Sequence, residues 1–174
     1  RENPQPGSLI TERGPKVIEQ HTDFSNGRLH STERPLDAAL MGDGFFTFET
    51  PDGPVYSRGG QFYRDPDSGT LINNEGYTVV GENGSITIPP TVSDRDILIS
   101  EDGTIRSRDG QDFGKLSIVA FENNQTLDRI SQSIFKASAT SVRKDDSTAI
   151  VNQYHQEYSN GNPVSEMIAM IIGM

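Results

Sequence analysis

Short runs in which apolar and polar residues alternate occupy most of the chain between residues 16 and 138. These runs are rich in Val, Ile, Thr, Tyr and Phe, and Gly, Pro, Asp or Asn separate them. A period of two in β-branched and aromatic residues predicts β-strands. We therefore predict short strands at residues 16–21, 36–40, 45–50, 54–58, 70–73, 77–81, 85–89, 96–100, 104–107, 115–122 and 133–138.

The segments between the predicted strands carry the chemistry of tight turns. Asp-Gly begins at residues 43, 52, 102 and 109, and Asn-Gly begins at 26, 83 and 160. These dipeptides favour primed hairpin turns, in which φ is positive at both central residues. Segments 52–60 and 102–110 also share the pattern Asp-Gly-x-[Val/Ile]-x-Ser-Arg-x-Gly, which fits either an internal repeat or a chance likeness of two hairpins.

The stretch LDAALMGDGFF is interpreted as one hairpin. Residues 36–40 alternate as a strand, residues 42–44 turn the chain, and a partner strand begins at Phe45. Because side chains alternate across a strand, Phe46 and Phe48 should share one face and Phe45 should occupy the other. The hairpin would thus place aromatic residues in a small core.

Both ends of the chain differ from its middle. Residues 1–23 are predicted to form an extended arm or linker, and residues 24–145 a β domain. In 146–174, the run 148–158 could be strand or helix, and Asn162 as N-cap before Pro163 predicts the start of a helix. We expect both ends to continue in a longer protein. The predicted fold class is mostly β: a small antiparallel β domain of short hairpin-linked strands, with an extended N-terminal arm and the start of a C-terminal helix.

Composition narrows the possible functions. The 174 residues contain 32% hydrophobic residues, enough for one domain with a modest core. There is no Cys, so disulfides and thiolate metal sites do not arise. The net charge of −10 argues against a nucleic-acid partner, because such a surface repels phosphates. The apolar run at 164–174 is shorter than the roughly 20 residues that a membrane helix needs.

Candidate chemistry is sparse along the chain. The run 65–76 fails the pattern of a calcium loop, since Gly69 and Gly76 stand at ligand positions. No nucleophile elbow or phosphate-binding loop occurs. We therefore predict no catalytic residue, no cofactor, no metal site and no small-molecule substrate. The histidines, which lack ligand spacing, are His21, His30 and His155, and the acids available for a carboxylate pair, mostly in turn contexts, are Asp37, Asp43, Asp65 and Asp96.

Residues 34–86 contain three ordered runs: RPLDAALMGDGFF, then YSRGGQF, then GTL followed by GYTVVG. These runs resemble a segment shared by bacterial flagellar rod and hook proteins, whose pattern is Asn-Pro-Leu-Asp-x-Ala-Ile-x-Gly-x-Gly-Phe-Phe, then Tyr-x-Arg-x-Gly-x-Phe, then Gly-x-Leu…Gly-Tyr-x-Val-x-Gly. Residues 24–37 and 157–171 are similar to two further family segments. The chain departs from the pattern at Arg34, Gly161 and 131–133. The positions that match are 35–46, Tyr56, Arg58, Gly60, Phe62, Gly69, Leu71, Gly76, Tyr77, Val79 and Gly81.

The resemblance implies a structural subunit of the flagellar basal-body rod, outside the cytoplasmic membrane. Such subunits leave through the flagellar type III export apparatus and stack with other rod and hook subunits into a helical tube. Their terminal helices pair as an inner layer, and the β domain lies outside. The resemblance favours a proximal rod protein over a distal rod or hook protein, and it implies that this chain alone is monomeric. A carbohydrate-binding β domain and a β-rich hydrolase are the competing hypotheses.

The same resemblance suggests roles for particular residues. The apolar residues predicted to form the assembly interface are Met167, Ile168, Ile171 and Ile172. The residues predicted to maintain the fold motif are Leu36, Asp37, Gly42, Asp43, Gly44, Phe45, Phe46, Tyr56, Arg58, Phe62 and Tyr77.

Overall fold

The computed structural model describes residues 28–144 and 147–157, and this part of the chain is mostly antiparallel β-structure, as predicted. The predicted arm, the strand at 16–21 and the helix after Pro163 lie outside these residues. Short 3-10 turns occupy Asp94–Asp96 and Asn124–Thr126. The strands are β1 (Leu29–Ser31), β2 (Asp37–Met41), β3 (Phe45–Thr50), β4 (Gly53–Ser57), β5 (Gly60–Gln61), β6 (Tyr63–Arg64), β7 (Leu71–Ile72), β8 (Thr78–Gly81), β9 (Gly84–Ser85), β10 (Ile97–Ile99), β11 (Thr104–Ser107), β12 (Asp112–Lys115), β13 (Ile118–Phe121), β14 (Leu127–Arg129), β15 (Phe135–Ala137), β16 (Arg143–Lys144), β17 (Ile150–Gln153) and β18 (His155–Glu157).

The described strands form four sheets. The largest follows the order β14-β15-β4-β3-β8-β7-β6, and β9, β13 and β16 join it off this path. Two three-stranded sheets have the orders β17-β2-β5 and β10-β11-β12. Strands β1 and β18 pair only with each other within the described residues and form a two-stranded ribbon. The run 148–158, open between strand and helix, is therefore strand from Ile150 to Glu157, apart from Tyr154.

The predicted hairpin of LDAALMGDGFF is wrong. Strand β2 pairs with β17 and β5, whereas β3 pairs with β4, β8 and β13. Residues 42–44 therefore carry the chain from one sheet to another, with Gly42 at φ +106°. The alternation pattern could not reveal this, because a crossover and a hairpin need the same strand–turn–strand pattern.

The predicted strand at 115–122 is two strands. Strand β12 ends at Lys115 and β13 begins at Ile118. Between them Leu116 is buried. Its N–H donates to the carbonyl of Gly103, one residue beyond the last β11–β12 pair, and the next N–H, that of Ser117, donates to Val80 of β8. The side chain thus keeps its place in the core while the backbone changes partners.

Of the predicted strand at 85–89, Ser85 belongs to β9 and Thr87 forms an isolated antiparallel bridge with Thr70. Ile86 and Ile88 are buried, as the alternation required. Their backbone groups, however, bond to the segment around β7: the Ile86 carbonyl accepts from Leu71, and the Ile88 N–H donates to Gly69. Burial was predictable here, but the hydrogen-bond partners were not.

Turn geometry also differs from the expectation. Gly53, Gly84, Gly103 and Gly110 have positive φ, but the Asp or Asn before each of them does not. Tyr154 is the one non-glycine residue with positive φ in the described ranges. The prediction of positive φ at both central residues was therefore wrong: in these four turns glycine alone takes the left-handed conformation, and at Asp43-Gly44 neither residue does.

Two apolar clusters flank β3. Phe46 and Phe48 lie in the larger cluster, and Phe45 lies in the smaller one, which confirms the predicted division of the faces. Phe46 meets Phe62 edge to face, with ring centroids 5.2 Å apart. Tyr56 meets Phe121 in the same way at 5.0 Å. Such perpendicular contacts are the favoured geometry for aromatic pairs.

Candidate functional site

The ribbon of β1 and β18 brings the two flanks of the described fold together. Leu29 lies opposite Glu157, and Ser31 lies opposite His155. Because the strands are antiparallel, the chain enters the fold at the start of β1 and leaves it at the end of β18, side by side. Leu29 and Glu157, at the two ends of the described fold, therefore lie about one strand spacing apart, roughly 5 Å.

Arg58, just after β4, joins the ribbon to the rest of the fold. Its Nε and one terminal nitrogen donate to the two carboxylate oxygens of Glu157, each at 3.1 Å. Its terminal nitrogens also donate to the carbonyls of Leu40 at 2.9 Å, and of Gly42 and Gly44 at 2.8 Å. We call Arg58, Glu157 and these three carbonyls the Arg58 junction.

The Arg58 junction uses the whole guanidinium group. Arginine has five N–H donors in a planar fork, and the five hydrogen bonds engage them all. The side chains of Arg58 and Glu157 are only 13% and 10% exposed. A buried ion pair is tolerated when its geometry is good and its other donors are satisfied, and both conditions hold here. Lysine could not replace this fork.

Asp37 makes a second attachment of the ribbon. It is fully buried at the start of β2, and its carboxylate accepts from Arg34 at 2.5 Å and from Gln156 at 3.0 Å. Its backbone carbonyl accepts the N–H of Tyr154 at 2.7 Å. Arg34 in turn lies 4.5 Å from the ring centroid of Tyr63, a cation–π distance. The buried carboxylate is thus fully paired, as a buried charge requires.

Gln153 supplies a third link at the end of β17. Its side-chain nitrogen donates to the carbonyls of Pro35 and Ile97, each at 2.8 Å. Its side-chain oxygen accepts the N–H of Ile99 at 3.0 Å. The amide therefore pairs with β10 much as a neighbouring strand would, and it covers part of that strand's edge.

The structure assigns places to the sequence-predicted residues. Arg58 and Asp37 meet the ribbon, and the 42–44 segment supplies carbonyls to the Arg58 junction. Asp43 is at the surface, where its carbonyl accepts from Ser147 and its carboxylate lies 3.7 Å from the Lys144 ammonium.

The predicted apolar positions divide between the two clusters. The larger cluster contains Leu36, Phe46 and Phe62, with Tyr77 half-buried against it, and the smaller cluster contains Phe45 and Tyr56. The predicted assembly residues Met167, Ile168, Ile171 and Ile172 lie outside the described residues.

Sequence reasoning missed the partners of these residues in the return segment. Gln153, Tyr154, Gln156 and Glu157 make the contacts, yet none of them was selected. A signal was present, because Glu157 begins the C-terminal segment that carried the family resemblance. Its separation of 99 residues from Arg58 kept the pairing out of reach.

Two surface depressions are candidate ligand sites. One of about 220 Å³ lies beside the Arg58 junction and has mostly uncharged polar walls, including Gln61, Asn73 and Gln156. The other, of about 420 Å³, includes Glu82, Glu101 and Asp102. The Thr104 backbone N–H lowers the pKa of Asp102, which is an ordinary turn effect. Among residues 28–144 and 147–157, no group of three His, Asp or Glu side chains is placed to hold a metal.

In the same ranges no helix is long and apolar enough to cross a membrane. The fold and its junctions define a class: a β domain that the chain enters and leaves through one antiparallel ribbon. A family model described as the flagellar hook protein FlgE/F/G D1 domain matches residues 39–107. The chain belongs to the bacterial flagellar rod and hook protein family.

Curated relatives point the same way. The chain is 35% identical to the flagellar basal-body rod protein FlgG of Bacillus subtilis, over 87% of this chain and 61% of the relative. It is 30% identical to FlgG of Buchnera aphidicola from Schizaphis graminum, over 95% of this chain and 66% of the relative. With FlgF of Escherichia coli it shares 33% identity, over 86% and 62% respectively. The chain thus spans about three fifths of the Bacillus relative, and these names do not favour the carbohydrate-binding alternative.

Proposed function

We propose that this chain belongs to a structural subunit of the flagellar basal-body rod, which polymerises with other rod and hook subunits into the axial tube. The subunit lies in the cell envelope outside the cytoplasmic membrane, reaches it through the flagellar export apparatus, and transmits torque. It is not an enzyme and uses no cofactor or small-molecule substrate. Family membership supports this proposal, as do the relatives' names.

The observation that carries the proposal is the antiparallel ribbon. A tube with paired terminal helices inside and a β domain outside requires both flanks of the domain to start at one place. The Leu29–Glu157 pairing meets that requirement. An enzyme or a sugar-binding domain has no need of it.

We further propose how the chain is divided. Residues 1–23 serve as an arm or linker, 24–145 as the outer β domain, and 146–174 as the return segment and first turns of a C-terminal helix. Assembly uses the apolar side of that helix, since a heterologous interface that does not close produces a helical filament. The assignment to the proximal rod stays a prediction. The residues proposed to make the interface are Met167, Ile168, Ile171 and Ile172.

Mass spectrometry of hook–basal bodies purified from the parent bacterium tests the proposal. We expect peptides of this chain at levels comparable with those of known rod subunits. The double variant I168S/I171S should be exported but missing from the particles, because it loses apolar area at the interface. The matched control Glu166→Gln, in the same segment, should assemble normally. Absence of the wild-type chain from intact particles would overturn the rod assignment.

A further inference from the structure

The ribbon is a separate two-stranded element that side-chain and backbone hydrogen bonds attach to the rest of the fold. Within the described residues its two strands pair only with each other, not with the three larger sheets. Polar contacts that tie it, or the turn before it, to the rest of the fold include Arg58 to Glu157, Gln156 to Asp37, and the N–H of Tyr154 to the Asp37 carbonyl. Of these, the bond to Glu157 is nearest the point at which the chain leaves the fold.

The Arg58 junction couples that exit point to the centre of the domain. The carbonyls it binds belong to the end of β2 and to the crossover that leads into β3. One rigid guanidinium plane therefore fixes β18 relative to two sheets at once. A bidentate pair of this kind restrains both distance and angle, whereas a single contact restrains distance alone.

We propose that Arg58 and Glu157 are positioning residues for polymerisation, because they set the direction in which both flanking segments leave the β domain. This inference rests on the proposed rod function. Subunits in a helical tube must repeat one geometry, and a ribbon free to pivot would present its flanks at many angles. Locking the ribbon before assembly avoids the entropy cost of ordering it during assembly.

Glu157→Gln tests the proposal with the smallest change. The amide keeps one oxygen for Arg58 but loses the charge and the second acceptor. Its matched control is Glu82→Gln, which makes the same chemical change in an exposed pair, with Glu82 Oε2 3.7 Å from Lys115 Nζ and side chains 56% and 42% exposed. An exposed pair of this length contributes little to stability.

Hydrogen exchange on the isolated chain provides the first readout. In Glu157→Gln we expect amide exchange in β1 and β18 to accelerate by at least about tenfold, because one partner of a buried pair has been weakened. Exchange in β3 and β4 should stay within error of the wild type. Unchanged exchange in the ribbon would overturn the proposal. An equal acceleration in β3 and β4 would also overturn it, since that result indicates general destabilisation.

Incorporation into basal bodies provides the second readout. We expect Glu157→Gln to be incorporated several-fold less than Glu82→Gln, with Glu157→Asp intermediate because its charge is kept and its reach is shortened. Equal incorporation of Glu157→Gln and Glu82→Gln would contradict the positioning role. Failure of the rod proposal is distinguishable, because the wild-type chain itself would then be missing while the exchange result stands.

Discussion

Gly60 occupies a position where two backbones approach closely. In strand β5 it lies opposite Ala38, and a Cβ built on Gly60 would come within 2.0 Å of the Ala38 carbonyl oxygen and 2.8 Å of the Phe46 ring. No side-chain movement can relieve contact with a backbone atom. The absence of a side chain is therefore what allows β5 to pair with β2.

We predict that Gly60→Ala destabilises the protein by about 3 kcal/mol, the upper range for overpacking. Gly59→Ala is the matched control, because its new methyl group would meet only the Ser57 hydroxyl at 3.3 Å. Urea unfolding of both variants measures the difference. Equal stability of the two variants would show that β2 and β5 can separate at little cost.

Tyr154 is strained at the bend between β17 and β18. Its φ is +65°, a conformation that costs a non-glycine residue about 1 kcal/mol. Its backbone is held there at both ends, because its N–H donates to Asp37 and its carbonyl accepts from Thr32. The strain is the local cost of directing the chain from a three-stranded sheet into the ribbon.

In a strand or helix, a Gly variant is usually less stable than the matching Ala variant. At Tyr154 we expect the opposite order of stability. We expect Tyr154→Gly to be more stable than Tyr154→Ala by about 1 kcal/mol, because only Gly adopts positive φ freely. At Asn152, in the preceding strand β17, the Gly variant should be less stable than the Ala variant. Thermal unfolding of the four variants tests this, and a normal order at both sites would contradict the inferred strain.

At the scale of elements, edges are closed by side chains. Gln153 binds both the N–H and the carbonyl that β10 presents to it. We predict that Gln153→Ala costs about 2 kcal/mol, since it leaves buried backbone groups unpaired. It should also speed exchange at Ile99. The exposed Gln132 serves as control, and a Gln132→Ala variant should match the wild type. No loss in Gln153→Ala would mean that water replaces the amide.

Tyr56, in the smaller apolar cluster, should make the stability of the fold depend on pH in the alkaline range. Burial raises the pKa of Tyr56 above its ordinary value of 10.0, Arg143 opposes this, and Glu49 adds to it. Above about pH 10 the unfolded chain therefore loses this proton more readily than the folded chain, and stability falls as pH rises. Below that pH the contribution of Tyr56 to the free energy of unfolding does not change with pH.

Tyr56→Phe isolates this contribution, because lysine and arginine titrate alike in both proteins. We expect the free energy of unfolding to decline less steeply for Tyr56→Phe than for wild type between about pH 9.5 and 11. Denaturation at several pH values measures the two slopes. Parallel slopes would show that the phenol keeps its ordinary pKa in the folded state.

Strand β2 illustrates what the sequence could and could not predict. Its existence followed from alternation in residues 36–40, but alternation also implied that Asp37 faces away from the core. In the structure every residue from Leu36 to Leu40 is buried, and Gln156 of β18 lies against Asp37 on the second face. That contact comes from a residue more than a hundred positions away, and no local pattern contains such information.

The residues of the Arg58 junction and of the Asp37 attachment were also only partly predictable from the sequence. Asp37 and Arg58 were selected because they belong to the family pattern, not because any chemistry was evident in their neighbours. Their partners Gln156 and Glu157 look like ordinary surface residues of a strand. Strand positions and face assignments depend on local periodicity, whereas strand pairing and polar partners depend on tertiary packing. The structure supplies the second kind of information.

At the scale of the whole molecule, several strands at the ends of the described sheets are short or charged. Strands β6 and β16 have two residues each and contain Arg64, Arg143 and Lys144, while β14 ends in Arg129. Such edges discourage strand addition between copies. We predict that the 174-residue chain sediments as a monomer at micromolar concentration. A stable oligomer would mean that the β domain associates through a surface other than these edges.

The pairing of Leu29 with Glu157 has a consequence for engineering and for evolution. Two strands that a hairpin turn could join directly are instead joined by the whole β domain. The β domain is thus an insertion between two chain positions, Leu29 and Glu157, whose spacing is fixed by their pairing. It could be enlarged, shortened or exchanged for another without changing the spacing of the segments that flank it, provided that the replacement also begins and ends on neighbouring strands.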